Sequence, residues 1–241
     1  MRGIAGRLSE VVLAGLLATA CVQTRNGNGI PAEERRDLDG FERVVVAGAL
    51  EVEVTAGQGF EVRIRIDENL IEYVGTRVVA SDALRIGVDG NLGDVLPGPH
   101  VSVTLPSLLG AELRGSGALR AAGFDEAEPV TLELNGSGEL SFEGRAPALA
   151  ATLGGSGNVL LEGRAERLEL SLSGSGSIAA RALPARSAAL SLDGSGSIAA
   201  TVDGLVDAAL DGSGRIDLYG TVTEGAFSEE GSGAIVVHAE R

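Results

Sequence analysis

Residues 168–200 decide the fold, and they read LELSLSGSGSIAARALPARSAALSLDGSGSIAA. The triplet Gly-Ser-Gly occurs twice in this stretch, 20 residues apart, and apolar residues alternate with polar ones on both sides of each copy. The whole chain holds seven copies, with serines at Ser116, Ser137, Ser156, Ser175, Ser195, Ser213 and Ser232. Because the spacing stays between 18 and 21 residues, the sequence indicates a solenoid in which each repeat is one turn.

The residues that flank each triplet predict strands. Three positions before the serine, six copies have Leu and the last has Glu229, and three positions after the serine every copy has Leu, Val or Ile. Alternation with a period of two is typical of β-strands, whereas a helix has a period of about 3.6 residues. We therefore predict an all-β fold. Because parallel crossover connections are right-handed in nearly all proteins, we expect a single-stranded right-handed β-helix with rungs of about 19 residues and three short strands per rung.

The triplet itself predicts a tight corner between two strands. Counting by twos from Leu192, which is expected to face inward, places Gly194 and Gly196 inward and Ser195 outward. A side chain at either inward position would collide with the neighbouring rungs, and Gly also permits the positive φ that a sharp bend requires. We therefore expect Gly194→Val to damage folding and Ser195→Ala to have little effect.

Residues 40–110 lack the triplet but keep the alternation, for example in Leu50–Val54 and Phe60–Ile66. Residues 47–49, Ala-Gly-Ala, have the form of a degenerate corner. We interpret this region as an irregular N-terminal cap of the same solenoid. A separate small β-sandwich is the alternative.

The N-terminus has the features of an export signal. Arg2 and Arg7 precede an apolar stretch over 11–20, and small residues stand directly before Cys21, the only cysteine of the chain. This arrangement resembles a bacterial lipobox, which implies that residues 1–20 are a signal peptide and that Cys21 is the site of lipid attachment. An ordinary secretory signal and an uncleaved anchor are the alternatives. Residues 21–39 are polar and lack apolar periodicity, so we predict that the lipidated Cys21 is followed by a flexible tether.

The domain that follows, residues 40–241, resembles the head GIN domain of putative auto-transporter adhesins. The resemblance is carried by DGFERVVV at 39–46, LEVEV at 50–54 and VSVTLP at 101–106, followed by the Gly-Ser-Gly rungs. It implies a right-handed β-helix that bacteria export, often as a lipoprotein. It implies no catalytic residues.

Composition and motifs narrow the chemistry. The formal net charge of −15 argues against nucleic-acid binding, which depends on Lys and Arg to neutralise phosphates. His100 and His238 are isolated in the sequence, so we predict no catalytic, cofactor-binding or metal-binding residues and no enzymatic activity. Asp193, Asp211 and Glu230 occupy the same place in successive rungs and are expected to form a solvated acidic ridge, with a weak Ca²⁺ site as the alternative.

These observations predict a lipoprotein of the bacterial cell envelope, held in the outer membrane or at the cell surface by the lipid on Cys21. We expect it to act as a structural or adhesion-like surface module whose solenoid faces contact a glycan or a protein. A carbohydrate-active enzyme on a β-helix scaffold is the alternative, because lyases and hydrolases also use this fold.

Overall fold

The computed structural model of the protein describes residues 24–79, 82–93, 95 and 98–238. The predicted signal peptide and Cys21 lie outside these residues. The fold is all-β, with 73% of residues in strands. Within the described part of the chain the single helical element is the 3₁₀ turn Ile71–Tyr73, and no helix is both long and apolar enough to span a membrane.

The strands form a cap followed by the body of the solenoid. The cap consists of β1 (Thr24–Arg25), β2 (Pro31–Arg36), β3 (Arg43–Ala47), β4 (Glu51–Ala56), β5 (Glu61–Asp67), β6 (Val74–Val79), β7 (Ala83–Val88), β8 (Asn91–Leu92) and β9 (His100–Leu105). The body consists of β10 (Gly110–Gly115), β11 (Ala118–Asp125), β12 (Val130–Gly136), β13 (Glu139–Gly155), β14 (Asn158–Gly174), β15 (Ser177–Gly194), β16 (Ser197–Gly212), β17 (Arg215–Tyr219), β18 (Val222–Gly231) and β19 (Ala234–Val237).

The body is a stack of parallel rungs in close register. Leu153 pairs with Leu172, Leu172 with Leu192, and Leu192 with Leu210, and all four side chains are buried in one apolar core. The prediction of a β-solenoid with about seven turns and a spacing near 19 residues is confirmed. One detail differs, because the predicted three short strands of a rung merge into single strands of 16 to 18 residues in β13–β16.

The Gly-Ser-Gly corner has the predicted orientation. Gly194 has a φ of +129°, and a Cβ atom there would lie 2.3 Å from the carbonyl oxygen of Gly174 in the preceding rung. A Cβ on Gly196 would lie 2.5 Å from the carbonyl oxygen of Gly176. Ser195 is exposed. The corner therefore accepts no side chain at either Gly, because the backbone of the preceding rung occupies the space.

The cap belongs to the same solenoid. Strands β3 and β4 pair in parallel with β10 and β11 on one side and with β7 and β9 on the other. Beyond these rungs, β5 pairs antiparallel with β9, and β6 pairs antiparallel with β7. Because the cap strands contribute to the same buried cluster as the body, the alternative of a separate β-sandwich is wrong.

The predicted flexible tether over 21–39 is wrong for the residues that the structure describes there, 24–39. Strand β2 pairs antiparallel with β5 along all six of its residues, and the short β1 pairs with β8. Strand β2 lacks apolar alternation because it is held by main-chain hydrogen bonds and charge pairs at the edge of the sheet. One such pair joins Arg63 Nη1 to Glu33 Oε1 at 3.2 Å, and another joins Arg35 Nη1 to Glu61 Oε1 at 4.0 Å.

Candidate binding surfaces

The acidic ridge lies where the sequence predicts it. Asp193 pairs with Asp211 and Asp211 with Glu230, and all three are exposed. Nowhere in the described ranges do three or more His, Cys, Asp or Glu side chains come together closely enough to hold a metal ion. The three side chains of this parallel row project side by side towards water.

A row of hydroxyl groups runs beside the acidic ridge. All seven corner serines are exposed, and the Oγ atoms of Ser213 and Ser232 lie 3.1 Å apart in successive rungs. Near the cap this row borders an open groove of about 470 Å³. In that groove Arg120 bridges two rungs, with Nη1 2.7 Å from Glu51 Oε1 and Nη2 3.3 Å from Glu139 Oε1. The row thus offers repeated polar groups at the spacing of the rungs.

A second groove, of about 360 Å³, crosses the strands that precede the corners. Its floor is made of the small side chains of Ser171, Ser191 and Ala209. Ser171 pairs with Ser191, and Ser191 with Ala209, on the outer face of three successive rungs. Glu169 and Asp207 stand on the next outward row and contribute carboxylates to the groove wall. An extended chain that lies across the rungs would meet this groove as a shallow, acid-lined channel.

A cavity of about 480 Å³ lies at the cap, against the degenerate corner at residues 47–49. The described residues of its lining are uncharged, and they are Thr24, Ala47, Gly48, Ala49, Val88, Gly90, Leu92, Gly93, Val95 and Pro99. Thr24 and Leu92, which belong to the small β1–β8 sheet, contribute to this lining.

Each aromatic ring among the described residues is buried, packed against the core or covered on at least one face. Of the five Phe and two Tyr in the chain, Phe41, Phe124 and Phe142 are buried, and Phe60 and Phe227 pack against the core. The guanidinium of Arg25 covers the ring of Tyr73 at 4.2 Å. The ring of Tyr219 is stacked on His238 at 4.4 Å and is also covered by Arg181 at 4.0 Å.

His238 is isolated in the sequence but not in the structure. Its Nε2 atom lies 2.6 Å from Asp217 Oδ1, and Arg215 Nε donates to the same carboxylate at 2.9 Å. Burial would raise the pKa of Asp217, but the hydrogen bonds from Arg215 and His238 outweigh it and hold the pKa below its usual value. These contacts link His238, which directly follows β19, to Asp217 in β17. His100, by contrast, lies 3.9 Å from Glu53 without a closer ion pair.

The structure defines the class of the protein as a capped parallel β-solenoid with polar outer rows. The family model described as "putative auto-transporter adhesin, head GIN domain" matches residues 40–221, so the chain belongs to this family. The predicted resemblance is thereby confirmed. No curated protein matches the sequence.

Solved structures share the fold. A putative adhesin from Bacteroides fragilis is 22% identical with a TM-score of 0.79, over 88% of this chain and 99% of that chain. A putative lipid binding protein from Parabacteroides distasonis is 22% identical with a TM-score of 0.74, over 90% and 100% of the two chains. A putative adhesin from Parabacteroides merdae is 19% identical with a TM-score of 0.67, over 89% and 98%. At these identities the likeness concerns the fold alone.

Proposed function

We propose that this protein is a non-catalytic, adhesion-like binding module of the bacterial cell envelope. The observation that carries the proposal is the repetition of outward polar rows across successive rungs, which gives an extended partner the same contacts several times over. Membership of an adhesin-named family, and likeness to structures named as adhesins and as a lipid binding protein, support a role in binding and a location at the envelope or cell surface.

We place the lipid anchor at Cys21, and this placement has a geometric consequence. The first described strand, β1, begins at Thr24, three residues after Cys21. Since an extended chain spans at most about 3.5 Å per residue, the cap would lie within roughly 10 Å of the anchor. About seven rungs at a spacing of about 4.8 Å would then carry the last rung roughly 34 Å away from it. The outer rows would thus stand clear of the bilayer.

The partner that fits the grooves best is an extended polymer without strong negative charge. The net charge of −15 repels polyanions, and the covered rings leave hydrogen bonding as the main mode of contact. The acid-lined groove over Ser171 and Ser191 would hold a neutral glycan chain or a polypeptide with basic side chains. The proposal therefore excludes nucleic acid as a partner.

A binding experiment tests this proposal with one variant for the groove and one for a distant face. The full chain, purified in detergent, is applied to a glycan array and to an array of extended peptides that includes basic sequences. Ser191→Arg fills the groove and should remove the signal, while Ser141→Arg, on the strand after the corner, should retain it. An absence of any saturable signal, or equal signals from all three proteins, would contradict binding in this groove.

The alternative, a carbohydrate-active enzyme, receives no specific support from the described residues. The family and the structures similar to this chain are named as adhesins or binding proteins. A reducing-sugar assay with the same purified chain and the glycans of the array separates the two functions. Product release above that of a denatured sample would favour the enzyme.

A further inference from the structure

Asp67 is the one charged side chain that is fully buried within the described residues. It is 2% exposed and ends strand β5. Its Oδ2 atom accepts a hydrogen bond from the main-chain nitrogen of Gly29 at 3.2 Å, whereas its Oδ1 atom is buried without a hydrogen-bond partner. No ion pair among the described residues includes Asp67. A buried carboxylate with an unpaired oxygen is costly unless a cation or further donors compensate it.

Two segments meet at this carboxylate, and both carry side chains with oxygen atoms. The loop at residues 26–30 folds over the turn at 67–70, and Gly27 approaches so closely that a Cβ on it would lie 1.6 Å from Asp67 Oδ2. The main-chain nitrogen of Asn28 donates to Asn69 Oδ1 at 3.1 Å, and Asn28 Nδ2 donates to Glu68 Oε1 at 3.1 Å. The main-chain nitrogen of Glu68 donates to the carbonyl oxygen of Ile30 at 2.9 Å. These hydrogen bonds tie Asn28, Glu68 and Asn69 together in the loop and turn that adjoin Asp67.

We propose that this loop and turn form a calcium site centred on Asp67. Ca²⁺ prefers six to eight oxygen ligands from carboxylates, amide carbonyls and main-chain carbonyls, and it tolerates irregular geometry. Asp67 Oδ1 and the carboxylate of Glu68 would supply the charge. The side-chain carbonyls of Asn28 and Asn69 each keep a second lone pair beyond the one that accepts a main-chain hydrogen bond. With two carboxylates, the site falls in the range of extracellular modules, whose Kd is on the order of 10⁻⁴–10⁻³ M.

The contrast with the acidic ridge explains why calcium belongs at the cap. Asp193, Asp211 and Glu230 are exposed, so water solvates their charges without the help of a cation. Asp67 is enclosed, and no arginine pairs with it although the chain contains 19 basic residues. An ion would both neutralise the buried charge and fasten loop 26–30 onto the cap.

The location gives the ion a role in presenting the domain. Loop 26–30 begins five residues after Cys21, so an ion bound there would fix the segment that leads from the anchor into the cap. This role rests on the proposed lipid anchor, whereas the site itself does not. Calcium would then set the orientation of the solenoid on the membrane.

Calorimetric titration of the full chain in detergent tests the site directly. After chelator treatment and dialysis, CaCl₂ should bind once per chain with a Kd on the order of 10⁻⁴–10⁻³ M. Asp67→Asn should weaken binding at least tenfold, and the matched control Asp193→Asn should leave it unchanged. Binding that is absent in the wild type, kept in Asp67→Asn or lost in Asp193→Asn would overturn the assignment.

A second variant and a second measurement guard against misfolding of Asp67→Asn. The asparagine retains an acceptor for the Gly29 nitrogen and removes the buried charge, so its melting temperature without calcium should equal or exceed that of the wild type. Glu68→Gln is exposed and should fold normally while weakening binding several-fold. Hydrogen exchange at residues 26–30 should slow on addition of CaCl₂ in the wild type only. Unchanged exchange in the wild type, or unchanged affinity in Glu68→Gln, would also count against the site.

Discussion

The substitution Gly194→Val tests the packing of the corner most stringently. Its Cβ would lie 2.3 Å from the carbonyl oxygen and 3.0 Å from the carbonyl carbon of Gly174, both of them main-chain atoms that cannot swing away. The φ of +129° is itself unfavourable for a side chain of this type. Backbone strain of this kind costs about 1–3 kcal/mol, and overpacking adds about 1–3 kcal/mol. We therefore expect a loss of about 4 kcal/mol in the free energy of unfolding.

This loss of stability can be measured as a lower melting temperature, in comparison with a control variant. For a protein of this size, about 1 kcal/mol lowers Tm by about 2–4 °C, so Gly194→Val should melt roughly 8–16 °C below the wild type in a calorimetric scan. Ser195→Ala is the matched control, because the serine is exposed and an exposed substitution changes stability by about 0.5 kcal/mol or less. Its Tm should stay within about 2 °C of the wild type. Equal changes in the two variants would refute the assignment of the corner positions.

Two further predictions concern the last rungs. The pKa of Asp217 is lowered in the folded protein, so its stabilising contribution is present above the unfolded value, about 3.9, and is lost as pH falls through the folded value. Between about pH 6 and pH 2.5, the Tm of the wild type should decline towards acid pH, and the Tm of Asp217→Asn should decline less. Identical declines in the two proteins would count against the contacts of Asp217 with Arg215 and His238. Glu229 occupies the place of the buried Leu210 in the last described rung, and its Oε1 accepts a hydrogen bond from the main-chain nitrogen of Ile235. Glu229 is exposed, and a charged residue on the strand at a sheet end discourages strand addition, so Glu229→Leu should promote self-association in sedimentation velocity runs. An unchanged monomer would contradict that role.

The body of the fold could be predicted because each rung repeats the same local information. The Leu and Ile rows fix which residues face inward, and the corner glycines fix where the chain turns, so the register follows from spacing alone. The cap could be predicted only as a region of strands. Its spatial order, with β7 and β9 on the far side of β3 and β4, depends on long-range pairing of short apolar strands that resemble one another in sequence. Nothing in the spacing of Val44–Val46 or Leu84–Ile86 identifies the partner.

The candidate site at the cap was harder to predict from the sequence because it, too, depends on long-range strand pairing. The acidic ridge follows from the repeat, but its exposure shows that it is the weaker place for an ion. Asp67 and Asn28 lie in ordinary turn sequences, Asp-Glu-Asn and Asn-Gly-Asn-Gly, that carry no signal of their own. Only the antiparallel pairing of β2 with β5 brings the two together, and β2 has the charged composition of a linker. The sequence Asn-Gly-Asn-Gly directly before β2 favours a tight turn, and this is the feature from which an ordered loop could have been predicted there.

The anchoring of the module at the envelope is the central claim, and metabolic labelling with palmitate tests it most directly. Cells producing the wild type or Cys21→Ala are labelled, and intact cells are then treated with an added protease. The proposed function predicts a label that depends on Cys21 and a chain that the protease degrades on intact cells. A wild-type chain without label would contradict the lipid anchor, and a labelled chain that resists the protease would place the module on an inner face of the envelope and contradict surface display.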